Sequence, residues 1–246
     1  MAKIICIIQA RVGSSRLPNK IFLDLAGRPV LSRVLDRVQK SKLITKVVVA
    51  APDSAANDVI QDFITANHPD VGLFRGSEED VLSRYLGAAQ KYQADVVIRI
   101  TSDCPLIDPD VIDKVIADFL KAGADYAANV IGRRTYPRGL DVEVFSLATL
   151  KKLDQLAKLA EDREHVTLYL FKHPDQFKIV SIVNERDDSK YRLTLDEVAD
   201  YDLLKKIYDK LNNKVDFRWP EIVEIFNQAP ELLDINAAVE QKYANY

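Results

Sequence analysis

Three cations, Arg11, Arg16 and Lys20, surround Gly13, Ser14 and Ser15 in one short segment. Glycine lets backbone approach a ligand closely, and consecutive N–H groups can form an anion nest. Arginine suits bidentate phosphate contacts, and lysine supplies a compact charge. That donor density is what a triphosphate needs. The segment matches neither G-x-x-x-x-G-K-S/T nor G-x-G-x-x-G. It is therefore a phosphate loop of another kind, with a basic surface loop as the alternative.

Two aspartates follow much later. Asp103 stands just past an apolar run and could hold Mg²⁺, which takes one or two protein carboxylates plus phosphates; a turn or cap aspartate is the alternative. Asp196 ends Arg192–Asp196 and opens a helical pattern. Alone it reads as an N-cap, but paired with Asp103 it would complete a metal site. Asp200 and Asp202 read as solvated helix residues, and Asp108 as an N-cap before Pro109. Strand alternation over 141–145 puts Asp141 and Glu143 on one face, fit for sugar hydroxyls or for solvent. Arg133, Arg134 and Arg138 could meet an anionic substrate. Arg75 could contact a base or phosphate, and His165 could line a substrate pocket. No Ser/His/Asp or Cys/His spacing suggests covalent catalysis.

The elements that must position these residues alternate. Strand-like runs at 3–10, 46–51, 71–74 and 95–101 are separated by helical patterns at 29–40, 54–66, 78–92 and 109–122. Further strands are expected at 125–130, 141–145, 177–183 and 191–195, and helices at 147–159, 163–172, 197–211 and 220–227. This order predicts an α/β fold with a mainly parallel sheet and helices on both faces. In such sheets ligands bind beyond the carboxyl ends of the strands, which points to 11–20, 75–77, 102–108 and Asp196. With no repeat or linker, residues 1–246 read as one domain, with a substrate or dimerisation subregion around 126–175. An exposed apolar face on 126–145 would favour a homodimer.

Composition narrows the function classes. The balance of 34 basic and 37 acidic residues, net charge −3, lacks the bulk field of a dedicated DNA binder, and no aromatic–basic interleaving supports a nucleic-acid partner. The apolar run Ile4–Ile8 is too short for a signal or a membrane span. The expectation is a soluble cytoplasmic protein with no membrane partner, whose Cys6 and Cys104 are free thiols.

The opening Ile7–Lys20, IIQARVGSSRLPNK, resembles the signature of the sugar-acid cytidylyltransferases, which attach CMP to 3-deoxy-manno-octulosonate and to acylneuraminates. FRGSEEDVL at 74–82, SDCPLIDP at 102–109, RGLDVEV at 138–144, REHVT at 163–167 and RLTLDE at 192–197 make the chain most similar to the spore coat polysaccharide biosynthesis protein F branch. Where the 3-deoxy-manno-octulosonate enzymes carry Gly-Asp-Glu-Pro, this chain has Ser102-Asp103-Cys104-Pro105.

The resemblance implies a three-layer αβα, nucleotide-diphospho-sugar-transferase-like fold with a mixed, mostly parallel sheet, and a homodimer. It implies that CTP and a sugar acid react to a CMP-sugar and pyrophosphate. Ala10, Arg11, Gly13, Ser14, Ser15, Arg16, Lys20, Arg75 and Ser102 would bind CTP. Arg138, Asp141, Glu143 and His165 would lie near the sugar or a dimer contact. Asp103 and Asp196 would hold Mg²⁺, and Arg16, Lys20 and Asp103 would carry catalysis. The readings set against this are a nucleotidyltransferase using another nucleoside triphosphate, a glycosyltransferase consuming a nucleotide sugar, and a non-catalytic binding subunit.

Overall fold

Ile4–Ile8 is apolar without alternation because both of its faces are covered. It forms β1 (Ile4–Gln9), a central strand. The computed structural model describes residues 2–214 and 216–241. β1 is flanked by β2 (Lys46–Pro52) and β4 (Val96–Thr101), with β3 (Gly72–Gly76) beyond β2, all parallel. The sheet then turns antiparallel at β6 (Glu143–Ser146). It closes with β5 (Tyr126–Ala128) and β7 (Ile179–Ser181), giving seven strands in the order β3-β2-β1-β4-β6-β5-β7.

Helices cover both faces. Apolar residues of α1 (Val30–Val38), α2 (Asp58–Asn67) and α4 (Pro109–Ala122) pack on one side. Those of α3 (Val81–Lys91), α5 (Leu147–Leu156) and α7 (Leu168–Lys172) pack on the other. A third cluster joins α8 (Val198–Lys210) and α9 (Trp219–Gln228) to Leu106, Leu140, Leu193 and Leu195. Among the described residues no helix is long and apolar enough to cross a membrane. Both cysteines are free and buried.

Register sets the site. Gln9 of β1 lies beside Thr101 of β4, and the Ser102 N–H donates to the Gln9 carbonyl at 3.3 Å. The loops leaving these two strands therefore start side by side at the carboxyl edge.

Four local expectations need correction. Residues 191–195 form no strand beyond a bridge between Arg192 and Arg138, because Leu193 N–H donates to the Arg138 carbonyl while Leu195 N–H donates to that of Asp103. Two different neighbours share this backbone, so no ladder extends. The helix expected over 163–172 is broken into α6 (Ala160–Glu164) and α7, with Val166 at φ +52°. Asp141 precedes β6 rather than alternating with Glu143 inside it. Tyr126, Ala127, Ala128, Leu140, Val142, Val144 and Phe145 are buried within the chain's own core, so they do not form the exposed face that would favour a dimer.

Candidate active site

The loop after β1 is held by its own backbone. Val12 N–H donates to Asn57 Oδ1 at 3.0 Å, and the Val12 carbonyl accepts from Ser14 N–H at 2.9 Å and Asn19 N–H at 3.3 Å. Asn19 adopts φ +56°, a conformation asparagine tolerates, which turns the chain into the short helix carrying Lys20. The N–H groups of Gly13, Ser15 and Arg16 have no protein partner among the described residues. Three open donors on one short loop are available to an anion. Gln9, Ala10, Arg11, Ser14, Ser15, Arg16 and Lys20 line a cleft of about 280 Å³.

The two distant aspartates enter the same cleft. Lys20 Nζ donates to Asp103 Oδ2 at 2.7 Å, Asp196 Oδ1 at 3.0 Å and the Leu195 carbonyl at 2.7 Å. Thr101 Oγ1 donates to Asp103 Oδ1 at 2.6 Å. Burial would push the Asp103 carboxyl up, but Lys20 and the Thr101 hydroxyl outweigh it and hold Asp103 below the ordinary carboxylate value. Burial likewise opposes the Lys20 charge, yet Asp103 and Asp196 raise its pKa, so Lys20 stays an ammonium.

Asp196 does not cap α8. Glu197 does, in a reciprocal capping box with Asp200. Asp196 is thereby released to face the cleft, where Arg16 Nη2 lies 3.0 Å from its Oδ1 and Arg192 Nη2 3.0 Å from its Oδ2. Asp200, expected in solvent, is 1% exposed. Its carboxylate accepts from Arg192 Nε at 2.9 Å, Asn236 Nδ2 at 2.9 Å, and the N–H groups of Asp196 and Glu197 at 2.9 and 3.0 Å. Asp200 thus anchors the arginine that orients Asp196. Its position one turn into α8 hid this, because helical spacing does not say what packs against a face.

Of the other expected residues, Ser102 and His165 line the cleft. Gly13 stands on the loop, and its α-carbon faces Glu78. Arg75 points away: its guanidinium donates to the Ser54 carbonyl at 2.8 Å and pairs with Asp58, bracing the β2–α2 connection. Arg138 and Asp141 are not among the lining residues, and Asp141 pairs with Arg134 at 2.6 Å. Glu143 is 6% exposed and sits under the cleft, ion-paired to Arg99 and accepting from Tyr126 Oη and Thr167 Oγ1 at 2.7 Å each. Asp108 caps α4, donating nothing and accepting from Asp110 N–H at 2.7 Å. Arg84 and Arg99 line the cleft without having been expected there. A charge in the otherwise apolar VVIRIT strand, and another between Leu82 and Tyr85 on the buried helix face, were the available signals.

Gly139 shows why the RGLD block matters. It has φ +98°, and a β-carbon there would come within 2.6 Å of the Leu193 carbonyl carbon, in the segment that delivers Asp196. Gly139→Ala is expected to cost at least ~1–2 kcal/mol from the backbone conformation alone. It should also push Leu193–Asp196 off the Lys20 ammonium, so thermal melting and turnover should fall together; unchanged values for both would contradict this packing.

The sequence model of the family described as cytidylyltransferase matches residues 5–231. The chain belongs to the cytidylyltransferase family. This cytidylyltransferase is 32% identical to the spore coat polysaccharide biosynthesis protein SpsF of Bacillus subtilis, over 94% of this chain and 97% of that one. It superposes on a cytidylyltransferase structure from Leptospira borgpetersenii with TM-score 0.90 and 35% identity, covering 99% and 100% of the two chains. A CMP:2-keto-3-deoxy-manno-octonic acid synthetase solved with CTP has TM-score 0.66 at 20% identity, covering 85% of this chain and 100% of that one, and shares the fold. The sheet order and the helices on both faces are those expected of a nucleotide-diphospho-sugar-transferase fold. In this cytidylyltransferase the loop after β1 and the carboxylates Asp103 and Asp196 occupy one cleft.

Proposed function

We propose that this cytidylyltransferase activates a sugar acid with CTP, releasing pyrophosphate and forming a CMP-sugar that feeds surface polysaccharide assembly. The observation that carries the reading is the meeting of the open-donor loop with Asp103 and Asp196 on a single cation position. A sugar hydroxyl oxygen bonds to the α-phosphorus of CTP as the bond from that phosphorus to the bridging oxygen of pyrophosphate breaks, and the hydroxyl proton passes to solvent water. Such transfer is mostly positioning plus charge stabilisation. The Gly13, Ser15 and Arg16 N–H groups and the Arg11 guanidinium receive phosphate oxygens. Arg16 and Lys20 offset the charge that grows on the departing pyrophosphate.

The donor set fits Mg²⁺. Asp103 and Asp196 aim carboxylate oxygens at one ammonium, 2.7 and 3.0 Å away, which marks a shared cation position. Two carboxylates plus phosphate oxygens are the usual protein share of a Mg²⁺ site. When bound, the ion supplies charge neutralisation to the phosphates and orients the reacting groups. Asp103 and Asp196 would hold the ion, with Arg192 keeping Asp196 aimed and Lys20 within reach of the phosphates.

The test is pyrophosphate release with CTP, UTP, ATP and GTP, each with Mg²⁺ and with 3-deoxy-manno-octulosonate or N-acetylneuraminate as acceptor. The expected result is turnover with CTP and a sugar acid. A purine preference overturns the nucleotide assignment. Release of UDP or GDP from a nucleotide sugar, without pyrophosphate, overturns the reaction class.

A further inference from the structure

Two arginines at the floor of the cleft have donors that no group among the described residues uses. Arg84, on α3, is 3% exposed. Its Nη1 donates to the Ser77 carbonyl, its buried Nε has no partner, and it forms no ion pair among the described residues. Glu78 and Asp80 bear on Arg84 without pairing with it, and a buried guanidinium with no direct ion pair is costly unless an anion joins it. Arg99, on β4, spends only Nη1 on Glu143, and its buried Nε is likewise without a partner. Glu143 is itself fixed by the Tyr126 and Thr167 hydroxyls, so the Arg99 guanidinium is locked in place. A purely structural pair would use the guanidinium fork in full; here part of the fork is left over.

The two arginines and the phosphate loop line the same cleft, and the charge of Arg11 bears on Arg84. Arg99 faces the same side of β4 as Thr101, about 7 Å behind it along the strand, and both line the cleft. The acids of this part of the cleft, Glu78 and Glu164, are exposed at its rim, while Arg84 and Arg99 form its base. His165 stands beside Glu164 on the exposed side. The planar fork of arginine is matched in shape to a carboxylate.

We propose that Arg84 and Arg99 form an anion subsite that takes the carboxylate of the acceptor, apart from the donors that hold the CTP phosphates. The assignment of the anion to the acceptor rests on the sugar-acid reading above. It makes Arg84 and Arg99 specificity-determining residues, with Glu143, Tyr126 and Thr167 positioning Arg99.

Crystals soaked in sodium bromide test it directly, because anomalous scattering locates the ion whatever the natural ligand is. A bromide is expected within hydrogen-bonding reach of Arg84 or Arg99, retained when CTP is added and displaced by a sugar-acid substrate. Its absence, or its loss on adding CTP alone, overturns the subsite. A sugar acid that turns over while the bromide stays overturns the carboxylate assignment. If the bromide persists with CTP but no sugar acid is a substrate, the fault lies with the acceptor class and the anion subsite stands.

Arg84→Met and the paired change Arg99→Met with Glu143→Gln, which leaves no buried carboxylate uncompensated, give the solution test. KM for the acceptor should rise about 10- to 100-fold, the loss expected for a charge-assisted hydrogen bond, while KM for CTP stays within about twofold. A rise in KM for CTP instead, or no change in either constant, would assign these arginines elsewhere.

Discussion

Asp103→Asn should lower the rate of pyrophosphate release by about 10²–10³-fold, the usual cost of removing one preorganised charge-stabilising group. The substitution keeps the side chain's shape and its contact with the Thr101 hydroxyl, so folding should be preserved. What it removes is the negative charge. Asp103 is kept ionised against burial by Lys20 and Thr101, so its charge is present throughout the neutral range. With asparagine there, Lys20 keeps only Asp196 and the Leu195 carbonyl as strong partners, and the shared cation position loses half of its carboxylates. Circular dichroism and a thermal melt would establish that the variant is folded, and a pyrophosphate assay with saturating CTP and Mg²⁺ would give the rate. Turnover within a few-fold of wild type would remove Asp103 from the reaction.

Asp200→Asn should be the most destabilising conservative change near the site. It takes one of two carboxylates from the buried Arg192 guanidinium, leaving Asp196 as the remaining counter-charge, and weakens charge-assisted hydrogen bonds from the Asp196 and Glu197 N–H groups, a loss of roughly 2–3 kcal/mol. The effect should reach activity as well, since Arg192 holds Asp196 from the side opposite Lys20. Burial opposes the Asp200 charge, but hydrogen bonds from Arg192, Asn236 and the Asp196 backbone, with the charge of Arg192, lower its pKa below the ordinary carboxylate value. A depressed folded-state pKa means stabilisation that is fully present above the unfolded pKa, about 3.9, and lost as pH falls through the folded value. The gap in melting temperature between wild type and Asp200→Asn should therefore be widest above about pH 5 and shrink below about pH 4. A gap that does not change between pH 7 and pH 3 would mean that the Asp200 charge is not what stabilises this corner.

These two aspartates mark different limits of legibility. Asp103 was visible because a carboxylate just past a buried parallel strand lies at the edge where such sheets bind ligands. Asp200 looked like any acid in the first turn of a helix; only the tertiary arrangement sets Arg192 and Asn236 against it. Arg75 shows the converse. It follows β3 at the ligand-binding edge, yet carbonyls and Asp58 nearby capture its guanidinium. Strand alternation puts Glu143 on a face with Asp141, but the strand begins at Glu143, and the carboxylate turns beneath the cleft to Arg99.

The sequence by itself determined the alternation of buried strands and amphipathic helices, the cationic loop after the first strand, and the family to which that loop belongs. Hydrophobic periodicity is a local property, and the loop's chemistry lies within one short segment. Only the tertiary structure decided that Lys20 would join Asp103 to Asp196, that Asp200 would be buried, and that Arg84 and Arg99 would meet at the floor of the cleft. Those contacts depend on strand register and helix packing between residues far apart in the chain, which no local pattern encodes.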